Sequence, residues 1–123
     1  MHTVTMTVGA QNLLTANQRL HHMRRPAIVK LPRRAAAAAA APQTAPRLDR
    51  AHITVHAAWP DRRRRDVHNL YVTVKACIDG LIDYGLLPDD DDRHLTGPDL
   101  RVDPDLSGIP KSTRLTFHIK ETP

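Results

Sequence analysis

The residues best suited to chemistry in this 123-residue chain lie between Trp59 and Asp92. Arg62, Arg63, Arg64 and Arg65 run straight into Asp66, followed by His68 and Asn69. Lys75 and Asp79 stand four residues apart, and Asp89, Asp90, Asp91 and Asp92 close the stretch. Guanidinium groups make bidentate contacts with phosphate. Clustered carboxylates suit magnesium, a hard ion that completes its shell with water and substrate phosphate oxygens. Together they fit work on a phosphodiester polyanion, with the metal polarising the phosphoryl group and stabilising the leaving oxygen. Lys75 has two readings. It could form an ordinary surface pair with Asp79 worth ~0.2–0.5 kcal/mol, or neutralise developing phosphate charge. The arginine run could likewise be a phosphate contact or a generic basic patch. Asp66 precedes the amphipathic segment and the acidic block follows it, so they share one site only if the chain folds back.

Charge supports a division of labour. Residues 1–65 hold 12 Lys/Arg against 2 acids (+10), and residues 66–123 hold 6 against 11 (−5). A uniformly basic binder of nucleic acid has no need of the acidic half, whereas an enzyme acting on it does. A surface with segregated, solvated charges is the other reading. The length suits one domain over 1–123 with a single modest core. With one Trp, one Phe and two Tyr, that core must be aliphatic. A single cysteine excludes an intrachain disulfide and cysteine-rich zinc motifs, and fits a reducing, cytoplasmic setting. Cys77 falls on an apolar stripe, as a buried structural thiol would. No apolar run reaches the length of a membrane span, and the N-terminus lacks the order of a signal peptide.

The elements that must position these residues follow from periodicity. Residues 2–8, 52–58 and 113–120 alternate apolar and polar side chains, the pattern of half-buried strands. Leu70, Val74, Cys77, Ile78, Leu81 and Ile82 recur at spacings of three and four, predicting a helix over 69–84 with Asn69 as N-cap and Gly85 as terminator. A later cap is open because Val72, Thr73 and Val74 are β-branched. The polar segment around Arg19 reads as a phosphate-binding arm or a soluble connector. The alanine tract can form a helix lying on the sheet or a low-complexity spacer, loose over 35–46. Gly97, Pro98, Pro104, Gly108 and Pro110 read as a long irregular excursion. The expected class is a small α+β domain, a short mixed or antiparallel sheet covered by one or two helices.

The order P-D-R-R-R-R-D-x-x-N-L, then K-A-C-I-D-G-L, a glycine and D-D resembles the RusA family of Holliday junction resolvases, most strongly over residues 59–95. These are small homodimeric, magnesium-dependent endonucleases of prophages and bacteriophages. The resemblance implies a RusA-like fold, cleavage of four-way DNA junctions, and magnesium, with manganese as a substitute. It implies Asp66 as a metal ligand, Lys75 as the catalytic cation, and an aspartate of the terminal block as a second ligand. Asp79 matches a recurrent helix acid. Arg62 to Arg65 match the junction-binding run, with Asn69 and Arg19 as further DNA contacts. Two departures stand out. The usual D-x-D-N-L is here Asp66-Val67-His68-Asn69-Leu70, so His68 replaces an early carboxylate; its imidazole nitrogen could ligate the metal, although magnesium prefers oxygen, and Asp79 could supply the missing charge instead. The acidic block is also longer than a pair: counting from Gly85 selects Asp90, and counting back from Leu95 selects Asp91 or Asp92. Two other functions fit the same residues, a branched-DNA-binding protein with impaired catalysis and a different metal-dependent nuclease or phosphohydrolase.

Overall fold

The computed structural model describes residues 1–10, 13 and 25–123, with only the backbone for 25–30. Arg19 and the polar segment around it lie outside the described residues. In chain order the elements are β1 (His2–Gly9), α1 (Arg25–Ala40), β2 (Ala51–Ala58), a 3-10 turn (Val67–Leu70), α2 (Tyr71–Tyr84), β3 (Leu95–Val102) and β4 (Ser112–Glu121). They form an α+β arrangement around a mixed four-stranded sheet of order β1-β4-β2-β3. β4 lies between β1 and β2 and is antiparallel to both, whereas β2 and β3 are parallel. The parallel pair requires a crossover, and α2 supplies it.

Strand alternation sorts the sheet into two faces. Val4, Val55 and Phe117 are aligned across three strands and buried, as are Met6, Ala57 and Leu115. They share one apolar cluster with Val74, Cys77, Ile78 and Leu81 of α2. The opposite face carries Thr54, His56, Thr116 and His118, none fully buried. There His56 and His118 meet edge to face with ring centroids 4.7 Å apart, and His52 Nε2 lies 2.6 Å from Asp99 Oδ2.

The alanine tract is helical. Ala36 and Ala40 are fully buried, and α1 packs mainly on α2 rather than flat on the sheet. Small side chains permit that approach. A Cβ on Gly80 would collide with the Arg33 carbonyl oxygen and come within 3.1 Å of the Ala36 Cβ. Arg33 then clamps the pair by a bidentate contact with Asp83 at 2.6 and 2.8 Å. Beyond the helix, the Gln43 amide bonds both backbone groups of Thr5 at 2.7 Å, covering the outer edge of β1.

Two expectations need correction. Residues 97–102 belong to a strand, β3, and not to an irregular excursion. Two steps along β2, from His52 to Thr54, match three along β3, from Thr96 to Asp99. That extra residue reverses the parity, so Leu95 and Leu100 are both buried although an odd number of residues apart. Gly97 makes the irregularity possible: its φ is +100°, and a Cβ there would lie 2.6 Å from the Ile53 carbonyl oxygen. The second correction concerns the start of the central helix. Asn69 is not its cap. Asp66 caps the 3-10 turn, its side chain accepting from the His68 N–H, and α2 begins only at Tyr71. A short acceptor side chain with extended backbone, just ahead of the first free N–H groups, is what a cap requires.

Candidate functional site

α2 buries Val74, Cys77, Ile78 and Leu81, which leaves Lys75 and Asp79 one turn apart on its flank. Gly85 ends the helix at φ +107°, donating to the carbonyls of Leu81 and Ile82. Leu86 and Leu87 are then buried at 0% and 2% exposure. The chain is thus pinned immediately before the acidic block and must reverse there. Asp89 Oδ1 accepts from the Asp90 N–H at 2.8 Å, while the Asp91 carbonyl accepts from His94 and Leu95. This reversal carries the Asp90 carboxylate back to Lys75. The Lys75 ammonium donates to Asp79 Oδ1 at 2.7 Å and also to Asp90 Oδ2. Burial pulls the Lys75 pKa down, but the hydrogen bonds and charges of Asp79 and Asp90 outweigh it and leave it raised. Asp90 is held below the usual carboxylate range, chiefly by its bond from Lys75. At neutral pH Lys75 is therefore a cation and Asp90 a carboxylate, with Asp79 as the second acceptor of the ammonium.

The arginine segment is built differently. Residues 62–66 form no regular element, and Asp66 at their end has extended backbone. Of the four arginine side chains, only that of Arg65 is firmly held, and Arg63 reaches Asp61 Oδ2 at 3.9 Å while staying exposed. Arg65 binds Asp61 Oδ1 at 2.7 Å and lies over the Trp59 ring, 4.9 Å from its centroid. Arg63 donates its backbone N–H to the same Asp61 oxygen at 3.0 Å. Arg62 and Arg64 have no ion pair among the described residues. Asp66 follows, exposed, accepting from the His68 N–H at 3.0 Å with His68 Nδ1 at 3.2 Å. Those two bonds lower its pKa, the backbone one most. Arg64, Arg65, Asp66 and Asn69 line a shallow concavity of about 640 Å³, so the cationic segment and the first acid face one surface.

The structure thus brings Lys75, Asp79 and Asp90 together and pairs Asp66 with His68 separately. Asp91 is exposed and bonds within its own loop, its Oδ1 accepting from the Arg93 N–H at 3.1 Å. Among the described residues, no three His, Cys, Asp or Glu side chains converge as a metal-binding group. Asp79 and Asp90 nonetheless suit magnesium. They are hard oxygen donors that already gather one cation, and two carboxylates are enough when water and phosphate complete the shell. Burial pushes the Cys77 thiol up to about 12, which leaves it an inert part of the core. Sequence reasoning missed Trp59 as the support for Arg65. It also missed Val102 and Leu106 as exposed apolar neighbours of the arginines, because their loop was read as irregular.

No protein-family model matches this chain, and no curated protein matches it either. Among the described residues, no helix is long and apolar enough to cross a membrane.

Proposed function

We propose that this protein is a magnesium-dependent, structure-selective endodeoxyribonuclease of the RusA type, resolving four-way DNA junctions in the cytoplasm. The observation that carries the reading is the Lys75 ammonium held between Asp79 and Asp90, with unpaired arginines elsewhere on the same short stretch of chain. Asp79 and Asp90 would hold the ion, which when bound polarises a phosphoryl oxygen. Lys75 keeps a positive charge beside the phosphate and opposes the charge that develops as water adds to phosphorus and a P–O bond breaks. Asp66, ionised at neutral pH and set apart from that cluster, is the further carboxylate that the bound substrate and metal would have to draw in. Arg62 and Arg64 hold the backbone by charge. Junction resolution needs two equivalent nicks, so the working unit is a homodimer with sites related by a twofold axis.

A synthetic four-way junction with each arm labelled, incubated with and without magnesium beside a matched linear duplex, tests this. Paired nicks in the junction alone, dependent on magnesium or manganese, are expected. Equal cutting of the linear duplex would reassign the protein to another metal-dependent nuclease or phosphohydrolase. The second reading is branched-DNA binding without cleavage. It is favoured by the same cluster, since Lys75 already engages both acids, and by His68 standing in place of an early carboxylate. Tight junction binding with no nicking in either metal would establish it.

A further inference from the structure

The loop joining β3 to β4 is clamped against the end of β2. The Asp103 N–H donates to the Ala57 carbonyl at 2.9 Å, and the Ser107 N–H to the Trp59 carbonyl at 2.8 Å. Between this loop and the arginine segment lies a cleft of about 370 Å³. Its apolar lining includes Trp59, Val102 and Leu106. Val102 is 52% exposed and Leu106 37%, although both are large hydrophobic side chains. Arg62 to Arg65 form the opposite wall.

Charge pairing decides what this cleft offers. Asp61 is engaged by Arg65 at 2.7 Å and Asp103 by Arg114 at 3.6 Å. Arg62 and Arg64 have no ion pair among the described residues and Arg63 reaches Asp61 only at 3.9 Å, so the arginine wall keeps a surplus of positive charge over the one further acid of the lining, Asp105. Bare phosphate has no use for an exposed apolar lining, and a purely apolar ligand has none for unpaired guanidiniums. A nucleotide uses both. Its base slides over apolar and aromatic side chains or an Arg plane, its phosphate meets the arginines, and Asp105 on the rim can accept from a base N–H such as the thymine imide. A paired base has both faces covered within the duplex, so only an unpaired one can enter, and extrusion costs least where pairing is already lost.

We propose that this cleft binds one unpaired nucleotide of the DNA, which deepens the substrate reading above and rests on it. The site then selects duplexes interrupted by an unpaired position, as at a branch point. Two duplexes of one sequence test this, one fully paired and one with a single extrahelical thymidine. Fluorescein anisotropy reads affinity, and emission of the chain's only tryptophan reads the cleft on unlabelled copies. The interrupted duplex should bind roughly tenfold tighter and quench Trp59 more than the paired one. In the Val102→Ser/Leu106→Ser double variant, checked for folding by its thermal melt, the affinity ratio should fall towards one. A ratio retained in that variant would seat the base elsewhere and overturn the assignment. Equal affinity and equal quenching in the wild-type protein would overturn the cleft alone and leave the nuclease reading standing. Binding of neither duplex would overturn the cleft assignment, and the junction assay above would then decide the nuclease reading separately.

Discussion

The arginine segment and the flank of α2 hold charge in opposite ways. On α2, Lys75, Asp79 and Asp90 satisfy one another, partly buried and fixed by a helix and a pinned loop. Along 62–65 Arg65 alone is firmly engaged, with Asp61 and Trp59, Arg63 reaches Asp61 only at 3.9 Å, and Arg62 and Arg64 have no ion pair among the described residues. A ligand must compete for the first group but not for the second. Affinity and turnover should therefore separate by mutation, one following the arginines and the other the helix flank.

The largest expected effect is on cleavage. Lys75→Ala and Asp90→Asn should each slow magnesium-dependent nicking of a junction by about a hundredfold or more, with affinity in a gel-shift titration changed far less. Asp66→Asn is the cleaner probe of charge, because an amide oxygen can still accept the His68 N–H and keep the cap. Its cleavage should be lost while binding holds or tightens as phosphate repulsion falls. Wild-type rates in Asp66→Asn would remove that residue from the site. Asp79→Asn should be severe if Asp79 holds metal and mild if it only pairs with Lys75.

Next comes binding. Replacing Arg62 and Arg64 together by alanine should flatten the plot of log affinity against log salt by about 1.8, since each released phosphate contact contributes ~0.9. Replacing Arg63 and Arg65 should instead lower the melting temperature, because Arg65 is fixed to Asp61 and Trp59. Equal effects of the two pairs would erase the distinction between spent and free arginines. A smaller change is expected from His68→Asp, which restores an early carboxylate beside Asp66 and should preserve or raise cleavage in magnesium. Loss of cleavage with an unchanged melt would show that 68–70 adopt a different local geometry from the family pattern, with the metal held by Asp66, Asp79 and the terminal block.

The smallest effect is on stability against pH. Burial, then the neighbouring His56, lowers the His118 pKa below the ordinary imidazole value. The unfolded chain thus binds the proton first as pH falls, and stability declines from the ordinary imidazole range downward. Asp61, Asp66 and Asp90 have lowered pKa values, led by bonds from Arg65, the His68 N–H and Lys75 respectively. Their contribution is complete above the ordinary carboxylate range and is lost as pH falls through their folded values. Melting temperature should therefore drop in two stages on acidification. His118→Gln should remove the first, and an unchanged profile in that variant would exclude His118 as its source.

What sequence alone determined is the part written in local periodicity. The alternation in β1, β2 and β4 and the spacing from Leu70 to Ile82 place those elements to within a few residues, because a strand or helix must turn one face to the core. The flank shared by Lys75 and Asp79 follows from the same geometry. What the tertiary structure decided lies where neighbours distant in sequence override the pattern. β3 is hidden by its extra residue, which breaks the alternation and becomes legible only in register with β2. The alanine tract could be helix or spacer until Gly80 opposed it across the α1–α2 contact. Asp90 is distinguished from Asp89, Asp91 and Asp92 by nothing in its own chemistry. Burial of Leu86 and Leu87 fixes where the loop reverses, and that reversal determines which carboxylate reaches Lys75.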